Sequence, residues 1–287
     1  MNVLKYVPPI HIHPIMFIFI VLAFLTGTFV HLLTIFCIVL FHELGHYAMA
    51  RFFGWRIKGI VIWLFGGIME TDEHGTKPVY EDVLVTIAGP FQHIIIYIFC
   101  GIIYPFALLP TAILESVLYY NTVILLFNLL PIWPLDGGKL LFLSFSKKWP
   151  YKKAHKMTVI FSSIMIVLSL GGYLIIESFS LGICCLALFL LFENHVEWKR
   201  RSYVFLRFLL DRYENKGYVG GVSPIAVPSH CSMMDVFALF KREKRHQIYI
   251  VFPDDTRKVV DEMECLRSYF HDKQYDQHMA DVAYRIT

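Results

Sequence analysis

The chain has 287 residues, of which 56% are hydrophobic and 17% charged, so it is too apolar to be wholly a soluble protein. A net charge of +3 at pH 7 is too small for a nucleic-acid binder, and no nucleic acid is expected as a partner. Charge is also unevenly placed: residues 1–196 hold 11 Lys and Arg and 10 Asp and Glu, whereas residues 197–287 hold 15 and 13. That shift divides the chain into a membrane domain (1–195), a basic amphipathic linker helix (196–221) and a small soluble domain (222–287).

The apolar segments, taken in order, predict six transmembrane helices at about 14–30, 31–53, 83–109, 117–136, 157–176 and 179–195. Links such as Gly27-Thr28 and Glu177-Ser178 imply tight hairpins. No small-x-small site precedes the second span, so the N-terminal segment is not read as a cleaved signal. Residues 59–70, "GIVIWLFGGIME", are apolar but too short to cross. Gly66-Gly67 marks a turn there, and the stretch is expected to be a re-entrant hairpin in an otherwise all-α membrane domain. Lys5, Arg51, Arg56, Lys58, Lys77, Lys139 to Lys156 and Lys199 to Arg201 all fall on one side of this arrangement. The opposite connections near 28, 110–116 and 177–180 hold no Lys or Arg. An integral, multi-pass protein with both termini and the soluble domain in the cytoplasm follows.

"HELGH", residues 42–46, sits directly after the apolar "HLLTIFCIVL". Ionisable groups at membrane depth are costly and mark function. H-E-x-x-H on a helix places two imidazoles on one face, where they can share a zinc ion. Glu43 between them is positioned to take a proton from the water that the metal activates. A catalytic zinc takes a third protein ligand. The other acid deep in an apolar span is Asp136 in "FNLLPIWPLDGGKLL" (127–141), where prolines and glycines break the helix, so Asp136 is the expected third ligand. Gly137-Gly138 would let the backbone bend close to the metal. Asn128 is a candidate to hold a substrate backbone or stabilise an oxyanion, the alternative being to satisfy backbone groups freed by Pro131 and Pro134. An extended substrate is expected to pair with the hairpin around Gly66 and Gly67 by strand addition.

HELGH in one span with N-x-x-P-x-x-P-x-D-G in a later one, together with "IHIHP", "LFGG" at 64–67 and "AGPFQH" at 88–93, resembles the site-2 protease family of intramembrane zinc metalloproteases. The resemblance implies that His42, His46 and Asp136 bind zinc, that Glu43 activates water, and that a peptide bond in or near the bilayer is cut. The flanking words and the soluble tail resemble the sporulation branch of that family. Its implied substrate is the precursor of a sigma factor, sigma-K, in the mother-cell membrane surrounding the forespore, and inhibitory membrane proteins are its implied partners. One departure is Gln92-His93, where many members place Asn. His93 is therefore read as a helix-packing histidine, with a role at the site as the alternative.

Beyond the linker, "SPIAVP" predicts a strand, "CSMMDVFALFKRE" a helix with Met233, Phe237 and Phe240 on one face, and "QIYIVF" a second strand. "RKVV" predicts a third, and 261–270 a last helix. This order resembles a single CBS module, which implies ATP binding and a homo-oligomer. Two other readings compete with the protease: a membrane metal-ion transporter, which has no use for Glu43 between its ligands, and a catalytically inactive protease-like scaffold, which would have lost a ligand or the base. The six cysteines show no C-x-x-C or disulfide-like spacing.

Overall fold

A computed structural model describes residues 10–12, 14–63, 66–71, 77–176, 179–214 and 220–285. Lys5, Leu64, Phe65 and the Glu177-Ser178 link lie outside them. The chain divides into two compact units, Met1–His74 with Tyr80–Leu140, and Gly75–Val79 with Leu141–Thr287.

The first unit begins with β1 (Ile10–Ile12), α1 (Ile15–Leu25) and α2 (Phe29–Phe52). It continues through β2 (Ile57–Trp63), β3 (Gly66–Thr71), α3 (Val79–Ile103) and α4 (Thr111–Leu129) to the start of α5 (Asp136–Lys148). The expected span at 14–30 is realised as the 11-residue α1, which Gly27, at φ +73°, separates from α2. Eleven residues are too few to cross a bilayer as a straight helix. The hairpin expected at 59–70 is present as the antiparallel pair β2–β3, with Ile60 opposite Met69, but Gly66 and Gly67 do not form its turn: they open β3, paired with Trp63 and Ile62. This unit is nevertheless not all-α. β1 adds to β2 in parallel, Ile10 beside Ile60, so a three-stranded sheet in the order β1-β2-β3 lies among the helices and leaves β3 at an edge. Trp55, Ala50 and Val85 form a small apolar core between the end of α2 and α3, and the Trp55 indole donates to Glu81 Oε2 at 2.9 Å.

The second unit carries the rest of α5, then α6 (Tyr151–Ile176) and α7 (Leu181–Tyr213). The last span and the linker are one 33-residue helix, because no glycine or proline interrupts residues 183–213. At 1.5 Å per residue it is about 50 Å long. In all, five helices among the described residues (α2, α3, α4, α6 and α7) are long and apolar enough to cross a membrane. Their outer faces expose large apolar side chains, among them Ile98, Phe99 and Ile102 on α3 and Ile164, Val167 and Leu168 on α6. Such faces need lipid rather than water around them.

The C-terminal tail has the expected order: β4 (Gly221–Pro228), α8 (Met233–Phe237), β5 (Lys244–Val251), β6 (Arg257–Asp261) and α9 (Glu262–Phe270). β4 runs parallel to β5, and β5 antiparallel to β6. Ser232 caps α8 by accepting from Asp235 N–H, and Asp261 with Glu264 forms a capping box on α9. α8 is shorter than expected, yet Met233, Phe237 and Phe240 are all fully buried. A further helix, α10 (Met279–Arg285), was not anticipated. It buries only Met279, Val282 and Ala283 within a mostly polar segment. All six cysteines are free thiols, and burial pushes the Cys265 thiol up to about 12.

Inside the tail Glu262 accepts from Arg212 Nε at 2.5 Å, from the His246 backbone N–H at 2.8 Å and from His246 Nδ1 at 2.9 Å. Burial raises its pKa, but the His246 hydrogen bond and the Arg212 charge outweigh that, and the net direction is downward. A carboxyl depressed in the folded state stabilises the fold above its unfolded pKa, and that stability is lost as pH falls through the folded value. Glu262→Gln should lower stability at pH 7 by about 3–5 kcal/mol, since it leaves Arg212 buried without its counter-charge. The difference in Tm between wild type and variant should narrow as pH drops below the usual carboxylate range. A difference independent of pH would refute the charge argument.

Candidate metal centre

On α2, the four-residue spacing stacks His42 and His46 on one face, and both are buried, as is Glu43. That face meets α3 at very close range. A Cβ on Gly45 would lie 2.5 Å from the Ala88 carbonyl oxygen, and one on Gly89 would overlap the His46 ring and sit 2.8 Å from His42 Cε1. Small residues at the crossing thus let the α2 and α3 backbones approach and leave room for two imidazoles between them. Val85, Gly89 and His93 follow one another at four-residue intervals along the facing side of α3. His46 Nδ1 donates to the Val85 carbonyl at 2.7 Å, while His42 Nδ1 lies 3.1 Å from His93 Nε2.

Asp136 arrives from a break in the chain. The segment expected to be one helix to residue 136 ends at Leu129, and α5 starts at Asp136 itself. Between them Ile132 N–H bonds to Leu130 O and Leu135 N–H to Ile132 O, forming a compact turn. Gly137 and Gly138 serve this turn rather than the metal. A Cβ on Gly137 would overlap the carbonyl oxygens of Leu129 and Leu130, and one on Gly138 would lie 2.5 Å from the Ile132 carbonyl. The outcome is a buried carboxylate at the first residue of a helix, with Oδ1 held by Lys139 Nζ at 3.1 Å.

Asp136 Oδ2 is left facing the imidazoles. It lies 3.1 Å from His42 Nε2 and 3.1 Å from His46 Nε2, and the two Nε2 atoms are 3.1 Å from each other. Because a carbonyl oxygen only accepts, His46 carries its proton on Nδ1, and its Nε2 lone pair points at an anionic oxygen. Two buried acceptors at that distance repel unless a cation lies between them. Tetrahedral zinc with bonds of about 2.0–2.1 Å separates its ligand atoms by about 3.3 Å. The donor set, its burial and its spacing fit zinc.

Glu43 follows His42 on the same helix, and its side chain lies against β3: a Cβ on Gly67 would be 2.6 Å from Glu43 Cδ and 2.8 Å from Oε1. Gly66 begins β3 opposite Trp63. Asn128 is half-buried one residue before the end of α4. His93 corrects the packing assignment, since it is fully buried and hydrogen-bonded to His42. Asn121 and Lys139 were not anticipated. Asn121 had a legible signal, an amide in an apolar helix one residue after "LYY", and Lys139 lies three residues after Asp136.

Gly89→Ala should drive a methyl group into the His46 ring and weaken zinc binding by about 10–100-fold. Gly101→Ala on the same helix, where a Cβ meets nothing within 4 Å, should leave it unchanged. Metal content of the purified full chain checks both.

The chain matches the model of peptidase family M50 over residues 30–113 and 107–170. It is 40% identical over 275 residues to stage IV sporulation protein FB of Bacillus subtilis (strain 168), covering 95% of each chain. It is 32% identical over 144 residues to a zinc metalloprotease of Methanocaldococcus jannaschii, covering 49% of this chain and 42% of the other. Its fold matches that of a site-2 protease from the same archaeon with a TM-score of 0.54 and 27% identity, over 66% of this chain and 89% of that one. With its two histidines and one aspartate converging among apolar helices, the chain belongs to peptidase family M50, the site-2 proteases, and is an intramembrane zinc metalloprotease.

Proposed function

We propose that this protease cuts the membrane-associated precursor of a sigma factor, sigma-K, during sporulation, with His42, His46 and Asp136 holding the zinc and Glu43 as general base. The observation that carries this reading is the convergence of those three ligand atoms beside Glu43 in a chain similar over 95% of its length to a sporulation protein. Zinc held there lowers the pKa of water towards 7 and polarises the scissile carbonyl. Glu43 takes the proton from the attacking water and delivers it to the departing amine nitrogen as the C–N bond breaks. Lys139, by holding Asp136 Oδ1, keeps Oδ2 turned towards the histidines. The free edge of β3 offers backbone groups to an extended substrate strand, with Gly66 and Gly67 admitting it close to Glu43. The partly exposed Asn128 amide takes a substrate carbonyl.

The basic residues after α2, between α4 and α6, and towards the end of α7 fall on one side of the five spans, which supports a cytoplasmic C-terminal tail. The similarity to a sporulation protein supports a place in the mother-cell membrane around the forespore. The strand–helix–strand–strand–helix order of the tail supports a CBS-like module that binds adenine nucleotide and pairs between copies of the chain. Inhibitory membrane proteins would hold the enzyme off until needed.

Co-expression of the sigma-K precursor with wild type should give a shortened product that Glu43→Gln lacks. Cleavage should fall by about 10²–10⁴-fold with zinc retained. Asp136→Ala should lose the zinc itself. Product from Glu43→Gln at the wild-type rate would refute the assignment of the base. Gly67→Ala, by displacing Glu43, should lower cleavage by about 10²-fold without changing zinc content.

A further inference from the structure

We infer that His93 and Asn121 are positioning residues for the metal centre, a two-residue relay that fixes the tautomer of His42 and so aims its Nε2 lone pair at the metal. The inference rests on the reading of His42, His46 and Asp136 as zinc ligands. Asn121, fully buried on α4, donates from Nδ2 to the His93 backbone oxygen at 3.1 Å. A carbonyl oxygen only accepts, so the orientation of the amide is settled: Oδ1 is its other end. Oδ1 lies 2.7 Å from His93 Nδ1, which must therefore carry the imidazole proton. With its single proton on Nδ1, His93 presents Nε2 as an acceptor, and the group facing it at 3.1 Å is His42 Nδ1. That nitrogen holds the proton of His42, and Nε2, 3.1 Å from Asp136 Oδ2, is left as a bare lone pair.

The two histidine ligands are thus oriented by different devices. His46 leans on the Val85 carbonyl directly, a backbone group that no side-chain substitution removes. His42 depends on a chain of two side chains on two helices. Without the relay, His42 can place its proton on Nε2 and donate it to Asp136 Oδ2 instead of binding metal. A neighbouring bridge between the same helices, Tyr97 Oη to Thr122 Oγ1 at 2.7 Å, holds α3 to α4 without touching the site, and it separates positioning from packing.

The test uses the full chain purified in detergent, with zinc affinity measured by competition against a chelator and Tm measured on the metal-free protein. His93→Leu and Asn121→Leu should each weaken zinc binding by about 10–100-fold. His93→Gln, whose amide oxygen keeps an acceptor for His42 Nδ1, should stay within a few-fold of wild type. Thr122→Val should lower Tm and leave zinc affinity unchanged. His93→Leu binding as tightly as wild type would overturn the relay alone. So would His93→Gln losing as much as His93→Leu, or affinity falling in step with Tm across all variants including Thr122→Val. A wild-type chain that binds no zinc would instead overturn the metal reading on which the relay depends.

Discussion

Three ligand atoms, His42 Nε2, His46 Nε2 and Asp136 Oδ2, are held 3.1 Å apart in a buried site, an arrangement that a metal ion between them stabilises. The surrounding structure can be understood as what it takes to impose this. Two imidazoles at i and i+4 need a neighbouring helix close enough to orient them and thin enough to admit them. Gly45 and Gly89 meet both demands, since neither could carry a Cβ without displacing backbone or ring atoms. The carboxylate must come from outside that helix pair, and the break between α4 and α5 delivers it.

A helix that merely crossed the membrane would present no carboxylate in this way. Ending α4 at Leu129 and restarting the chain at Asp136 puts a side chain at a helix terminus, where its direction is not constrained by the preceding turn. The glycines that follow let the turn fold back against α5. The sheet solves a different problem. An intact substrate helix hides its peptide bonds in its own hydrogen bonds, and the proposed pairing of an opened segment with β3 would place it beside Glu43, which lies against Gly67.

The C-terminal tail follows ordinary rules of sheet and helix. Alternation along β5 buries His246, Ile248 and Ile250, and side-chain caps start α8 and α9. Its polar centre, Arg212 with Glu262 and His246, ties the end of the long helix α7 to strand β5 and helix α9. α7 has no glycine or proline from residue 183 to its end, so what composition divides into a span and a linker is one continuous helix.

Much of this was legible in the residues alone. HELGH states its own geometry, because a helix of 3.6 residues per turn fixes where i and i+4 point. Asp136 could be chosen because an acid among prolines and glycines in an apolar segment has few other uses. Most of the apolar spans, the existence of the hairpin and the strand order of the tail rest on local periodicity, which a sequence displays directly. Only the tertiary structure decided that β1 joins the hairpin, that Gly137 and Gly138 admit backbone rather than metal, and that Asn121, His93 and His42 line up in one chain of contacts. Those facts depend on which atoms of distant segments come within 3 Å of one another. Hydrogen-bond polarity, which settles the tautomers, exists only once both partners are in place, 28 and 51 residues apart along the chain.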